Sequence, residues 1–322
     1  MNAEVITSAQ NPKLKRLMAL QEKSRLRREE GVFVVEGRRE LEHCIAAGFE
    51  VDSVFICPEI LEGQALPPSG VRPSGSPHHP FGTVPPLSNR GCYVPQGVGP
   101  ALPDESGNSQ SLCHSEQSEG IYSSRTFHLS KELYAKVAYR EGTEGIIAEV
   151  RAKYLKLKDL KLKENPLVMV LEGVEKPGNL GAVLRSADAA CADAVIICDP
   201  LTDLYNPNLI RASIGAVFTV PVVCCSSEEA IAFLKARGIR ILTAQLQDSS
   251  PYYDVDMCCG TALVMGTEAT GLTTAWREAA DAHILIPMLG RLDSLNVSVS
   301  AAILLFEAVR QRNNARISCS TS

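Results

Sequence analysis

From residue 167 onward, short apolar runs alternate with helical patterns, and this alternation constrains the fold of the 322-residue chain more than any other feature. Runs at 167–171, 194–198, 218–223, 240–244, 262–265 and 283–287 read as strands. The stretches 179–190, 208–215, 227–237, 273–280 and 296–312 read as helices. The strand runs are apolar at nearly every position rather than at every second one. Such strands are buried on both faces, as happens in a parallel sheet whose crossover helices cover both sides. An α/β fold follows, with ligands expected at the carboxyl ends of the strands. No G-x-G-x-x-G occurs, which argues against an ordinary dinucleotide site.

The first 151 residues read as a separate, smaller α/β domain. Asn11-Pro12 is a helix start, a capping residue followed by Pro at the first helical position. The basic helix it opens is predicted to run to Gly31. Strands are predicted at 32–35, 51–57, 126–129 and 145–150, and helices at 38–47 and 131–138. Residues 62–125 are rich in Pro, Gly and Ser without periodicity, the composition of a disordered insertion. A Lys-rich linker, 152–166, leads to the second domain at 167–314, and 315–322 form a tail.

The formal net charge is −5, yet residues 13–39 carry Lys13, Lys15, Arg16, Lys23, Arg25, Arg27, Arg28, Arg38 and Arg39 against Glu22, Glu29, Glu30 and Glu36. Local positive potential of this kind attracts phosphate even on an acidic chain. The alternative is a solvated helix face with ion pairs four residues apart. Aromatic residues make up 5% of the chain, which argues against stacking as the main mode of nucleic-acid binding. No apolar run reaches membrane-spanning length, and the first residues lack the apolar core of a signal peptide, so cytoplasmic residence is expected. The eleven cysteines are scattered without a C-x-x-C and read as reduced core residues, with no metal site.

Three segments carry chemistry: EKPGNLGAVLRSA at 175–187, LVMGTEATGL at 263–272 and RLDSLNVSVS at 291–300. In the last, a polar turn leads from a strand directly into a helix, where backbone N–H groups and a partial positive charge are exposed. In this order the three resemble the motifs of the SpoU (TrmH-like) RNA 2′-O-methyltransferases of the SPOUT superfamily. The first domain resembles the ribosomal-protein-L30e-like RNA-binding domain of that family. The likeness extends over residues 1–60 and 126–312.

The resemblance implies a knotted parallel sheet in the second domain. It implies methyl transfer from S-adenosylmethionine to a ribose 2′-hydroxyl, and a homodimer. Ribosomal RNA is the expected substrate, with tRNA as the alternative. A non-catalytic RNA-binding assembly factor is a further alternative, and the basic first domain disfavours a small-molecule methyltransferase. By motif, Arg185, Asn179, Glu268, Ser294 and Asn296 are the expected catalytic residues. Gly266, Ile286, Met288, Leu295 and Thr243 are the expected cofactor contacts. Arg185 is either a general base or an orienting group. A guanidinium is hard to deprotonate, which favours orienting the hydroxyl or clamping a phosphate. Glu268 either fixes the loops or touches substrate, and Asn296 is also a ready helix cap.

Overall fold

The computed structural model describes residues 3–62, 125–139, 144–267 and 270–320. The N-terminal sheet contains β1 (Glu4–Ile6), β2 (Val32–Glu36), β3 (Val51–Ile56), β4 (Arg125–Leu129) and β5 (Ile146–Arg151), in the order β1-β4-β3-β5-β2. β1, β4 and β3 are parallel, and β5 runs antiparallel to β3 and β2. Its helices are α1 (Pro12–Glu22), α2 (Ser24–Glu30), α3 (Arg38–Ala46), α4 (Pro58–Glu62) and α5 (Lys131–Val137). One sheet face, bearing Phe55, Phe127 and Ile147, is covered by Leu14, Leu17 and Leu20 of α1 and Leu133 and Val137 of α5. Except for its ends, Glu62 in α4 and Arg125 in β4, the expected insertion lies outside the described residues.

The basic stretch is two helices rather than one. Asn11 caps α1, its side chain accepting from the Lys13 N–H, and Gly31 closes α2 with φ 62°. Between them Lys23 is extended (φ −101°, ψ 103°). The break has a visible partner: Arg27 Nη1 donates to the carbonyls of Leu20 (2.6 Å) and Gln21 (3.0 Å) at the end of α1. A helix end leaves such carbonyls without intrahelical partners, and the guanidinium satisfies them.

The C-terminal sheet contains β6 (Leu167–Glu172), β7 (Ala194–Cys198), β8 (Val222–Cys225), β9 (Arg240–Ala244), β10 (Ser250–Pro251), β11 (Thr261–Met265) and β12 (Ala282–Leu285). Its order is β10-β12-β9-β11-β6-β7-β8, parallel throughout. The helices are α6 (Pro177–Ala189), α7 (Pro207–Ser213), α8 (Ala216–Thr219), α9 (Ser227–Ala236), α10 (Thr274–Ala279) and α11 (Val297–Ser320). Along β6, Leu167, Met169 and Leu171 join the core that holds Leu180 and Leu184 of α6 and Leu304 and Leu305 of α11. Val168 and Val170 face the opposite core with Leu234 and Trp276. Both faces are thus buried, as the continuous apolar runs require. After β12, near one sheet edge, the chain turns back so that α11 packs on α6, β6 and β11 at the centre.

The strand expected at 218–223 is corrected by the structure. Ile214 (φ 53°) and Gly215 (φ 84°) break α7 and start α8, and the strand begins only at Val222, after Pro221. The apolar residues of α8 go to the seam between the two sheets instead. There Phe218 lies 5.8 Å from Phe33 and 5.3 Å from Phe49, and Phe33 stacks on Tyr205 at 4.2 Å. Arg27 crosses the same seam to Asp203 at 2.6 Å, both side chains almost fully buried. The Lys-rich stretch is also docked. Leu155 bridges to Val223 beside β8, Leu160 is buried in the C-terminal core, and the Tyr205 hydroxyl donates to the Lys153 carbonyl.

Candidate active site

Because the C-terminal strands are parallel, all their carboxyl ends lie on one rim. The segment 175–187 leaves β6 there, 266–272 leaves β11, and 286–296 leaves β12. Two of these are tied together: Asn296 Nδ2 donates to Asn179 Oδ1 at 3.1 Å. Asn296 is also the helix cap of α11. Its Oδ1 accepts from the Ser298 N–H and hydroxyl, and its carbonyl accepts from Val299 and Ser300. Ser294 lies on the exposed loop and donates to Asp293 at 3.2 Å. Arg185 is exposed on α6 and forms no hydrogen bond or ion pair among the described residues. Glu268 lies outside the described residues.

Gly266 is required by the chain's own backbone. A Cβ there would sit 2.3 Å from the carbonyl carbon and oxygen of Gly271 and 2.6 Å from the Leu272 nitrogen. The 266–272 loop folds back onto its own start, with Thr267 and Gly271 exchanging backbone hydrogen bonds. Thr243 is the penultimate residue of β9. It is fully buried inside the ladder, its hydroxyl 2.6 Å from His283 Nδ1, so its side chain does not reach the rim. Ile286 and Met288 are half-buried at the end of β12, and Leu295 is 39% exposed.

Two features of the rim escaped the sequence reading. The first is a buried polar network at the end of β6. Glu172 accepts from the Thr273 N–H (2.9 Å) and hydroxyl (2.7 Å) and from the Ser227 hydroxyl (3.2 Å). Ser227 also donates to Asp199 (2.6 Å) and accepts from Trp276 Nε1 (3.0 Å). This network anchors the start of α10 directly after the 266–272 loop. The signal was the single acid closing the apolar run Leu167–Glu172. Beside it, a hydrogen bond between the thiols pushes Cys198 up and Cys225 down, so these cysteines serve each other.

The second is Gln245, immediately after β9. Its N–H bonds the Ile284 carbonyl and its Nε2 the Gln247 carbonyl, while Oε1 is buried with no hydrogen-bond partner among the described residues. A buried acceptor of this kind is costly unless something donates to it. Among the described residues, the backbone N–H groups of residues 288–295 find no backbone acceptor. The rim therefore combines half-buried apolar side chains, unused backbone donors and one orphaned acceptor. A ligand with an apolar ring and polar edges suits that set. No cluster of three or more metal-ligating side chains occurs among the described residues, and no helix there is long and apolar enough to cross a membrane.

A parallel sheet whose final helix returns to its centre, with three loops meeting at one rim, defines a SPOUT-type methyltransferase. The model of the SpoU rRNA methylase family matches residues 166–306, and that of the MRM3-like substrate binding domain matches residues 11–72. A 23S rRNA (guanosine(2553)-2′-O)-methyltransferase of Bacillus subtilis is 33% identical over 180 residues, 56% of this chain and 71% of the relative. A 23S rRNA (guanosine-2′-O-)-methyltransferase of Ralstonia nicotianae is 37% identical, over 55% of this chain and 73% of the relative. The crystal structure of an RNA 2′-O ribose methyltransferase superposes with a TM-score of 0.68 at 31% identity, covering 96% of this chain and 99% of the other. An AdoMet-bound rRNA methyltransferase from Sinorhizobium meliloti shares the fold, with a TM-score of 0.74 at 23% identity, covering 96% and 98%. The chain belongs to the SpoU rRNA methylase family.

Proposed function

We propose that the protein transfers a methyl group from S-adenosylmethionine to a ribose 2′-hydroxyl of ribosomal RNA, and that it acts in the cytoplasm. The observation that carries this reading is the meeting of all three motif loops at one rim, with Asn179 bonded to Asn296 across it. The relatives named as 23S rRNA methyltransferases support ribosomal RNA over tRNA. S-adenosylmethionine supplies the electrophilic methyl group. Ile286, Met288 and Leu295 offer its adenine apolar surface, Gln245 Oε1 offers an acceptor, and the loop N–H groups offer donors.

In-line displacement depends on alignment, so the work of the protein side chains is positioning. Arg185, exposed and without an ion-pair partner among the described residues, keeps its fork of donors for the ribose or the adjacent phosphate. Asn179 and Asn296 hold the start of its helix against the loop that follows β12. Ser294 helps to position the acceptor ribose. RNA phosphates are met by the exposed cations Lys15, Lys23 and Arg28 of the N-terminal domain. A homodimer fits the outer face of α11, where Val299 and Phe306, seven residues apart, are each 48% exposed.

The test is methylation of purified, unmodified ribosomal RNA with labelled S-adenosylmethionine, followed by nucleoside analysis. A 2′-O-methylnucleoside at a discrete site is expected. Label in a base, or in tRNA alone, would overturn the reading.

A further inference from the structure

The N-terminal sheet has a concavity that the rim chemistry does not use. It lies on the α1 side of the sheet, the face opposite the one packed on the C-terminal domain. Its volume is about 150 Å³, and Lys13, Arg16, Ser53, Phe55, Arg125, Phe127 and Glu149 line it. A cavity of about that size accommodates one small aromatic ring.

Its chemistry is mixed in a specific way. Glu149 is 3% exposed, and its Oε2 takes both of its hydrogen bonds, from Arg16 Nη1 (2.6 Å) and the Ser53 hydroxyl (2.8 Å). Its Oε1 takes none among the described residues. A buried carboxylate is thus held rigidly by one oxygen while the other stays open as an acceptor. The floor is aromatic, Phe55 and Phe127 lying 5.1 Å apart with the Lys13 ammonium 4.2 Å from the Phe127 ring centre. Arg125 at the rim is exposed and forms no ion pair among the described residues. Three cations therefore surround one directed acceptor, two of them also paired outward, Lys13 with Glu4 and Arg16 with Glu30, each with N–H donors to spare.

We propose that this cavity takes one unpaired, amino-bearing nucleobase of the RNA substrate, a base other than the one whose ribose is methylated. The proposal rests on the RNA-methyltransferase reading above. An exocyclic amine donates to the open oxygen of Glu149, as carboxylates accept from the cytosine amino group in base readout. Ring nitrogens and carbonyl oxygens meet the Lys13 and Arg16 donors, and Arg125 meets a flanking phosphate. Uracil, with no exocyclic amine, leaves the carboxylate unanswered. The cavity makes the N-terminal domain a selective contact rather than a uniform basic surface.

The test uses the full chain and fluorescent single-stranded oligo(A), oligo(C) and oligo(U) of about ten nucleotides, a length that suits single-strand sites. Glu149→Gln keeps the shape but places an amide donor where an acceptor stood. It is expected to weaken oligo(A) and oligo(C) binding about tenfold and leave oligo(U) unchanged. Arg125→Ala is expected to weaken all three equally. Melting temperature and S-adenosylhomocysteine affinity, measured on each variant, report whether the fold survives. If Glu149→Gln unfolds the chain, Glu149→Asp serves, drawing the acceptor back by one methylene while keeping its charge, with the same base-dependent loss expected. Equal losses for the three oligomers, no loss, or no binding by the parent protein would each overturn the proposal and leave a solvated cavity. If the parent methylates ribosomal RNA in the same preparation, only the cavity assignment fails. If it methylates no RNA, the broader reading fails.

Discussion

Arg27 and Arg185 sit in the two regions that define this molecule, the seam between the sheets and the rim of the C-terminal sheet. Arg27 is 2% exposed and bonded on every side, to Asp203 across the seam and to the Leu20 and Gln21 carbonyls. Arg185 is exposed and has no hydrogen bond or ion pair among the described residues. At the seam polar groups are answered from within and aromatic rings stack. At the rim Gln245 Oε1 is orphaned, and large apolar side chains such as Leu289 and Leu292 are 99% and 75% exposed. A fold stabilises itself where its groups are matched and binds other molecules where they are not.

The comparison breaks hardest at Gly266, a tight spot of the rim. Gly266→Ala puts a methyl group 2.3 Å from the Gly271 carbonyl, so the loop has to open. Methyl transfer is expected to fall beyond detection, with a loss of about 3 kcal/mol in denaturant unfolding. A variant with normal stability and activity would show that the loop has slack. At the seam, Arg27→Ala leaves Asp203 buried without its partner. A cost of about 3–5 kcal/mol is expected, on the order of 10 °C in melting temperature. Arg27→Met with Asp203→Leu is expected to recover most of that loss, since the seam is otherwise apolar.

Asn296 separates cap from site. Asn296→Ala removes the α11 cap at about 1 kcal/mol and the bond to Asn179 as well. Asn296→Asp keeps the cap but lacks the amide donor. Calorimetry should find only the alanine variant less stable, with methyl transfer reduced in both. The smallest effect is expected on the N-terminal surface. Neutralising Lys15 and Arg28 should lower the salt slope of RNA binding by about 1 per residue, without a change in melting temperature.

The parallel sheet was legible because β6, β7 and β11 are apolar nearly throughout, and few other environments bury such strands on both faces. Phe218 misled because an apolar run does not say what it packs against. It fills the seam, against the rings of Phe33 and Phe49. The basic stretch misled for a related reason. Charge counts do not show that Lys13, Arg16, Arg25 and Arg38 are ion-paired and Arg27 is buried, which leaves Lys15, Lys23, Arg28 and Arg39 exposed without an ion pair among the described residues. At the rim, motif spacing picked out Asn179 and Asn296, which lie bonded to each other, while the side chain of Thr243 is buried in the ladder. Gln245 carries no local signal, since its orphaned oxygen exists only in three dimensions. Gly266 was expected to admit a ligand, and what approaches it in the structure is the chain's own backbone at Gly271 and Leu272.

The central claim is that the unmatched rim performs methyl transfer and that Arg185 orients the acceptor there. The direct test is single-turnover methyl transfer to ribosomal RNA by Arg185→Ala and Arg185→Lys, with melting temperature and S-adenosylhomocysteine affinity measured on the same samples. Both variants are expected to lose about a hundredfold or more in rate, because an ammonium does not reproduce the planar fork. Stability and cofactor affinity are expected to stay at the parent values. Full rate in the alanine variant would contradict the claim.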